Sequence, residues 1–91
     1  MRLTEYSGQF RQDLKRVQKR GKDTEKLKQF ITLLLEGEPL PERYHDHALT
    51  GNWVGARDAH IEGDWLLLYS LLEDESVIRF ERTGSHSDLF E

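Results

Sequence analysis

Four histidines, His45, His47, His60 and His86, stand in a chain of 91 residues that has no cysteine. Without thiols there is no thiolate nucleophile, thiolate metal site or disulfide, so imidazole and carboxylate must carry any chemistry. Imidazole is the side chain best suited to moving protons, because its ordinary pKa of about 6.5 lies close to working pH. His60, Asp64 and His86 are far apart in sequence, yet the turns place them together. Residues 62–64 and 73–76 read as turns at opposite ends of two consecutive hairpins, so the chain returns after Arg82 to the end that carries His60 and Asp64. Arg82 then stands close by, and Gly84 permits a tight bend after the last strand. Two imidazoles, a carboxylate and a guanidinium suit cleavage of RNA by its own 2′-hydroxyl. One group takes the hydroxyl proton, another gives a proton to the leaving 5′-oxygen, and the cation offsets charge on the phosphorane-like transition state. Such a site requires neither metal nor cofactor.

Each residue also has a structural reading. A lone histidine in a strand is commonly a hydrogen-bonded, half-buried residue, and an aspartate beside a glycine is a common turn residue. His45-x-His47 resembles part of a metal site but has no third ligand of assured position. Trp65 can stack on an unpaired base or fill the core as the first residue of an apolar strand. Trp53, Tyr69 and Phe80 are assigned to packing.

The elements that must position these residues follow from periodicity. Leu3 to Ser7 reads as a short strand ended by Gly8. Phe10, Leu14 and Val17 recur at helical spacing with Arg11, Lys15, Arg16, Lys19 and Arg20 between them, which predicts an amphipathic, basic helix stopped at Gly21. A second helix is predicted from Asp23 or Thr24, with the stripe Leu27, Phe30, Ile31, Leu34 and Leu35, ending at Gly37 and Pro39. The short link makes the two helices an antiparallel hairpin. Pro39 through Asn52 reads as an ordered surface loop. Strands are predicted over Trp53–Ile61, Trp65–Leu72 and Val77–Arg82, the second apolar on both faces and therefore central. The expected fold is α+β: a two-helix hairpin packed on a twisted antiparallel sheet, in β-α-α-β-β-β order, forming one domain over residues 1–91.

Composition bounds the partners. The net charge is −4, but residues 1–30 hold nine Lys or Arg against four acids, and the remainder holds four against thirteen. A basic amino-terminal third can face a phosphate backbone while the acidic remainder faces solvent or a basic partner; solvated helix faces are the alternative. The first ten residues lack the apolar core of a signal peptide. The longest apolar run, Trp65 to Tyr69, falls far short of the roughly 20 residues that span a bilayer, so a cytoplasmic protein without a membrane partner is expected.

Five motifs in order resemble the YafQ branch of the RelE toxin superfamily. They are Asp46-His47-Ala48-Leu49-Thr50-Gly51, Arg57-Asp58-Ala59-His60, Asp64-Trp65-Leu66-Leu67-Leu68-Tyr69, Arg79-Phe80-Glu81-Arg82-Thr83-Gly84-Ser85-His86 and Leu89-Phe90. The likeness also takes in Glu5-Tyr6-Ser7 and Gln18-Lys19-Arg20. RelE toxins themselves rely more on Lys and Arg, so four histidines favour this branch. The resemblance implies a microbial-RNase-like fold and a toxin that cleaves mRNA in the ribosomal A site until a cognate antitoxin inhibits it. By position, His47, His60, Asp64 and His86 match the family's catalytic residues, and Trp65 and Phe90 match residues that shape the site. Arg82 is expected to bind substrate, His86 to act as general acid, and Asp64 or His60 as base. Arg11, Lys15, Arg16, Lys19 and Arg20 are expected to meet ribosomal RNA. A non-catalytic toxin of the ParE kind, binding a protein such as DNA gyrase, is the competing reading, and a metal-binding regulatory domain is a third.

Overall fold

Apolar residues that alternate with a period of two build a sheet with two different faces, and each face acquires its own cover. The computed structural model describes residues 2–90. Its elements are β1 (Leu3–Tyr6), α1 (Gly8–Lys19), α2 (Thr24–Glu36), β2 (His47–Ala48), β3 (Ala56–Glu62), β4 (Trp65–Leu72), β5 (Val77–Gly84) and α3 (His86–Phe90), with single 3₁₀ turns at Glu42–Tyr44 and Gly51–Trp53. The five strands lie in the order β1-β5-β4-β3-β2, so the doubly apolar β4 is central as expected.

Both long helices begin at side-chain caps. Ser7 Oγ accepts from the Phe10 N–H at 2.9 Å, and Asp23 accepts from the Glu25 N–H at 3.0 Å, each satisfying a donor the helix leaves open. The α2 helix stops where Gly37 takes a left-handed φ of 73°, which a side chain would resist. Phe10 and Val17 of α1 and Leu27, Phe30 and Leu34 of α2 pack on Ala59, Ile61, Trp65, Leu67, Tyr69, Ile78 and Phe80. Each such side chain contributes roughly 1.5–3 kcal/mol on burial. The opposite face is covered more thinly, by Leu89 of α3 on Leu66 and Leu68, with Leu49, Trp53 and Phe90 around them.

The α+β class and element order hold, with four corrections. The sheet is mixed rather than wholly antiparallel, because β1 runs parallel to β5 while β3, β4 and β5 form the two expected hairpins. Alternation tells which face a residue takes but is blind to the direction of its neighbour. The loop after Pro39 is partly structured: Tyr44 is buried against Phe30, and His47–Ala48 adds a fifth strand beside β3. β3 starts at Ala56 rather than Trp53, because residues 51–53 make a 3₁₀ turn and Gly55 has a φ of 96°. Finally, the pairing of β4 with β5 shifts between Leu68 and Tyr69, leaving Glu81 as an extra residue. This bulge sets Thr83 opposite Leu67 and lets β5 continue to Gly84.

Candidate active site

The period of two puts Asp58 and His60 on the same face of β3, the one that α3 covers. His47 on β2 stands directly opposite Asp58. Asp58 is only 5% exposed, and its Oδ1 is the one buried side-chain polar atom among the described residues without a hydrogen-bond partner. Its Oδ2 lies 3.6 Å from His47 Nε2. Burial pushes this carboxyl above the usual range, and His60, His47 and His86 pull it back down. An acid buried without full hydrogen bonding costs several kcal/mol if ionised, which is why burial outweighs the imidazoles here.

The orientation of His47 is fixed from its other side. Its Nδ1 lies 2.7 Å from the carbonyl oxygen of His45, and a carbonyl can only accept. The Nδ1 therefore carries a proton, and a neutral ring would turn a bare Nε2 lone pair toward the Asp58 carboxylate. At 3.6 Å that nitrogen is too far from Asp58 Oδ2 for a hydrogen bond but close enough for its charge to be felt. The His60 ring sits beside both neighbours, 5.6 Å from His45 edge-on and 6.4 Å from His47. Three imidazoles and a carboxylate thus lie in one patch.

What pins the His45–His47 segment lies through the sheet. Asp46 points to the opposite side from His47 and accepts from Arg57 Nε and Nη2 at 3.2–3.3 Å and from the Tyr69 hydroxyl at 2.7 Å. Burial and the Asp46 acceptor together hold the Tyr69 phenol well above its ordinary value, so it stays a donor. A cavity of about 290 Å³ adjoins these three residues on that side.

His86 arrives from the other end of the chain as the first residue of α3. Its backbone N–H donates to Asp64 Oδ1 at 2.9 Å, and its ring lies 4.9 Å from that of Phe90. Asp64 and His86 are therefore brought together as expected, with the aspartate bound to the backbone that carries the imidazole. Phe90 leans on the small apolar cluster below α3.

Two expected site residues point elsewhere. Trp65 is 1% exposed in the core beneath the two long helices, where its Nε1 donates to Thr83 Oγ1 at 2.9 Å. From there it can shape the strand but cannot stack on a base. Arg82 donates to the fully buried Asp13 through Nε at 2.7 Å and Nη2 at 3.1 Å. Burial alone would raise the Asp13 carboxyl; hydrogen bonds from Arg82, the Thr83 N–H and Gln9 bring it below its usual range. Of the basic residues expected to meet ribosomal RNA, Arg11, Lys15, Lys19 and Arg20 are exposed and Arg16 is half-buried, with the Arg11 guanidinium 5.9 Å from the Tyr6 ring centroid. Arg16 pairs with Asp13 and Asp88, and Arg20 with Asp88.

Asp58 was not among the expected site residues, and the signal for it was present. It alternates in phase with His60, two positions away on one strand, so a single face had to hold both. Asp13 gave no such signal, because the partner that makes it matter is 69 positions away.

Comparison with known proteins places this arrangement. The mRNA interferase toxin YafQ of Escherichia coli K12 is 54% identical over 87 residues, covering 94% of this chain and 92% of that one. A Haemophilus influenzae putative toxin YafQ is 44% identical over 87 residues, covering 90% and 85%. The E. coli DinJ–YafQ complex contains a chain that superimposes with a TM-score of 0.90 at 52% identity, covering all of both chains. A family model described as the bacterial toxin of a type II toxin–antitoxin system, YafQ, matches residues 2–91. The chain belongs to the YafQ family of toxins.

Proposed function

We propose that this chain is an mRNA interferase: an endoribonuclease that works on the ribosome, cuts mRNA in the A site and is restrained by a cognate antitoxin. The observation that supports it most directly is the buried Asp58 carboxyl, with His47 Nε2 3.6 Å from its Oδ2 and the His60 ring beside that of His47. A module that merely docks on another protein gains nothing from keeping a buried carboxylate unsatisfied among imidazoles. The curated E. coli relative is named an mRNA interferase, and its counterpart in the DinJ–YafQ complex is bound to another protein, which suggests a comparable partner here.

In the proposed reaction the substrate's 2′-oxygen attacks phosphorus as the bond to the 5′-oxygen breaks. His60, central in the patch, takes the 2′-hydroxyl proton, and His86 gives one to the departing 5′-oxygen. The products are a 2′,3′-cyclic phosphate and a 5′-hydroxyl. His47 and Asp58 lie beside His60, while Asp64 holds the His86 backbone. The phosphorane charge falls to the imidazolium ions, since Arg82 already serves Asp13. The proton transfers are assigned to side chains because imidazole exchanges protons readily near neutral pH. Exposed Arg11, Lys15 and Lys19 are the cations left to meet ribosomal RNA, in a salt-dependent way. No helix among the described residues is long and apolar enough to cross a membrane.

The test is in vitro translation with primer extension on the mRNA, comparing wild type with folded His86→Ala and His60→Ala. Cuts at A-site codons that vanish in both variants are expected, with chelation of zinc leaving the wild type active. Wild-type cleavage by folded His86→Ala would remove its role as acid.

A further inference from the structure

The α3 helix is five residues long, far below the roughly 12–15 residues at which an isolated helix becomes even marginally stable in water. Whatever fixes it must lie outside it. Leu89 supplies one anchor by burial. A second is a reciprocal cap: Asp88 Oδ2 accepts from the Ser85 N–H at 2.9 Å, while Ser85 Oγ accepts from the Asp88 N–H at 3.1 Å. The same carboxylate takes both arms of Arg20, Nη1 to Oδ2 at 2.5 Å and Nη2 to Oδ1 at 3.1 Å, with Arg16 Nη1 3.5 Å from Oδ1.

These cations come from the last turns of α1, and that helix also holds the strand leading into α3. Asp13 accepts from Arg82 and from the Thr83 N–H at 3.1 Å, an N–H left open where β1 has already ended. Residues 82–88 are therefore gripped at both ends by one helix. Between the grips the backbone runs so close to Asp88 that a Cβ on Gly84 would lie 2.8 Å from its Oδ2. An isolated surface ion pair is worth little. This one is two-armed, its carboxylate is 12% exposed, and the carboxylate already orders a helix start.

We infer that Arg20, backed by Arg16, is a positioning residue for His86: through Asp88 it holds the first turn of α3, and so places the His86 imidazole. This rests on the assignment of His86 as proton donor, and it gives two of the basic residues of α1 an internal task instead of a nucleic-acid contact. A reacting group displaced by an ångström can lose about 100-fold in rate, so partial loosening of α3 should cost about tenfold.

The experiment compares full-length wild type, Arg20→Ala, Arg20→Lys, Asp88→Asn and the Arg20→Ala/Asp88→Asn double variant. Three readouts are taken: single-turnover cleavage on saturating ribosomes, ribosome co-sedimentation at two salt concentrations, and NMR signals of the histidine rings in the free protein. Arg20→Ala is expected to cleave about tenfold more slowly at unchanged ribosome association, to shift or broaden the His86 ring signals, and to leave those of His47 and His60 in place. Arg20→Lys should recover part of the rate, and the double variant should be no slower than the worse single one, because both act through one link. Weakened, salt-sensitive co-sedimentation with unmoved His86 signals would overturn the inference and make Arg20 a phosphate contact. Unchanged rate and spectra would overturn it equally. A His86→Ala control that cleaves normally would sink the assignment of His86 alone, since the ring signals in Arg20→Ala judge the clamp without reference to catalysis.

Discussion

Each face of the sheet buries one aspartate, and the two are treated in opposite ways. On the side of the long helices, Asp13 is fully buried and surrounded by donors: Arg82, Arg16, Gln9 and the Thr83 N–H. On the side of α3, Asp58 is nearly as buried but keeps one oxygen without a partner, with imidazoles nearby. The first arrangement lowers the carboxyl's proton affinity and locks α1 onto β5. The second raises it and leaves one carboxyl oxygen without a hydrogen-bond partner. Satisfied polar groups specify a structure, whereas an unsatisfied one of the same type, at the same depth, carries a cost that the fold itself does not require.

If that contrast is right, the largest effect should come from removing an imidazole on the α3 side. His60→Ala and His86→Ala should each slow A-site cleavage by about 10²- to 10⁴-fold with little change in urea midpoint, because these groups move protons and fill no core. A fall in stability comparable to that from losing Asp13 would break the distinction between the faces.

Asp13→Ala should do the reverse. Stripping one partner from a buried, hydrogen-bonded ion pair costs about 3–5 kcal/mol, a large share of a total on the order of 5–10 kcal/mol for a domain this small. Urea denaturation of the purified protein would show it. A loss below about 1 kcal/mol would mean that Arg82 finds water or another acid, and that Asp13 is not the lock described here.

A smaller effect is expected where the two regions meet. Gly84 has a φ of 154°, and a Cβ there would press on the Asp88 carboxylate. Gly84→Ala should destabilise by about 1–3 kcal/mol and raise amide exchange over residues 85–90 before the rest of the molecule. Uniform loosening instead would place the cost in the sheet.

How far these features could be read from the chain follows from their range. Helix stripes, caps and the alternation of Ala56, Asp58 and His60 are local, so α1, α2, β3, β4 and β5 were legible to within a few residues. The convergence of His60, Asp64 and His86 needed only turn positions, and the two ends of that cluster do meet at Asp64 and the His86 backbone. The parallel pairing of β1, the bulge at Glu81 and the burial of Arg82 on Asp13 depend on partners dozens of residues away. Trp65 shows the same limit: the residue is apolar and starts an apolar strand, but only the bulge that brings Thr83 opposite Leu67 makes clear that its indole N–H is satisfied inside the core.

The smallest and most discriminating effect should come from Asp58→Asn. The folded protein raises this carboxyl above its unfolded value of about 3.9, so the folded state binds the proton more tightly than the unfolded one. For such a group stability falls as pH rises between the unfolded and the folded pKa, and the penalty is complete above both. At neutral pH the wild type therefore carries a cost that asparagine lacks, and Asp58→Asn should be as stable as wild type or more stable by about 1 kcal/mol. As pH falls the wild type protonates, the cost disappears and the difference should close. Asp13 has the opposite sign: its lowered carboxyl contributes stability above about 3.9 that is lost as pH falls through the folded value. Urea midpoints of wild type, Asp58→Asn and Asp13→Asn between pH 3 and 8 would then show the Asp58 difference shrinking toward acid, while the deficit of Asp13→Asn shrinks only below the ordinary carboxylate range. An Asp58→Asn variant that is less stable than wild type at neutral pH, by a margin that grows with pH, would show that Asp58 is held as a satisfied anion like Asp13, and the contrast between the two faces would fall.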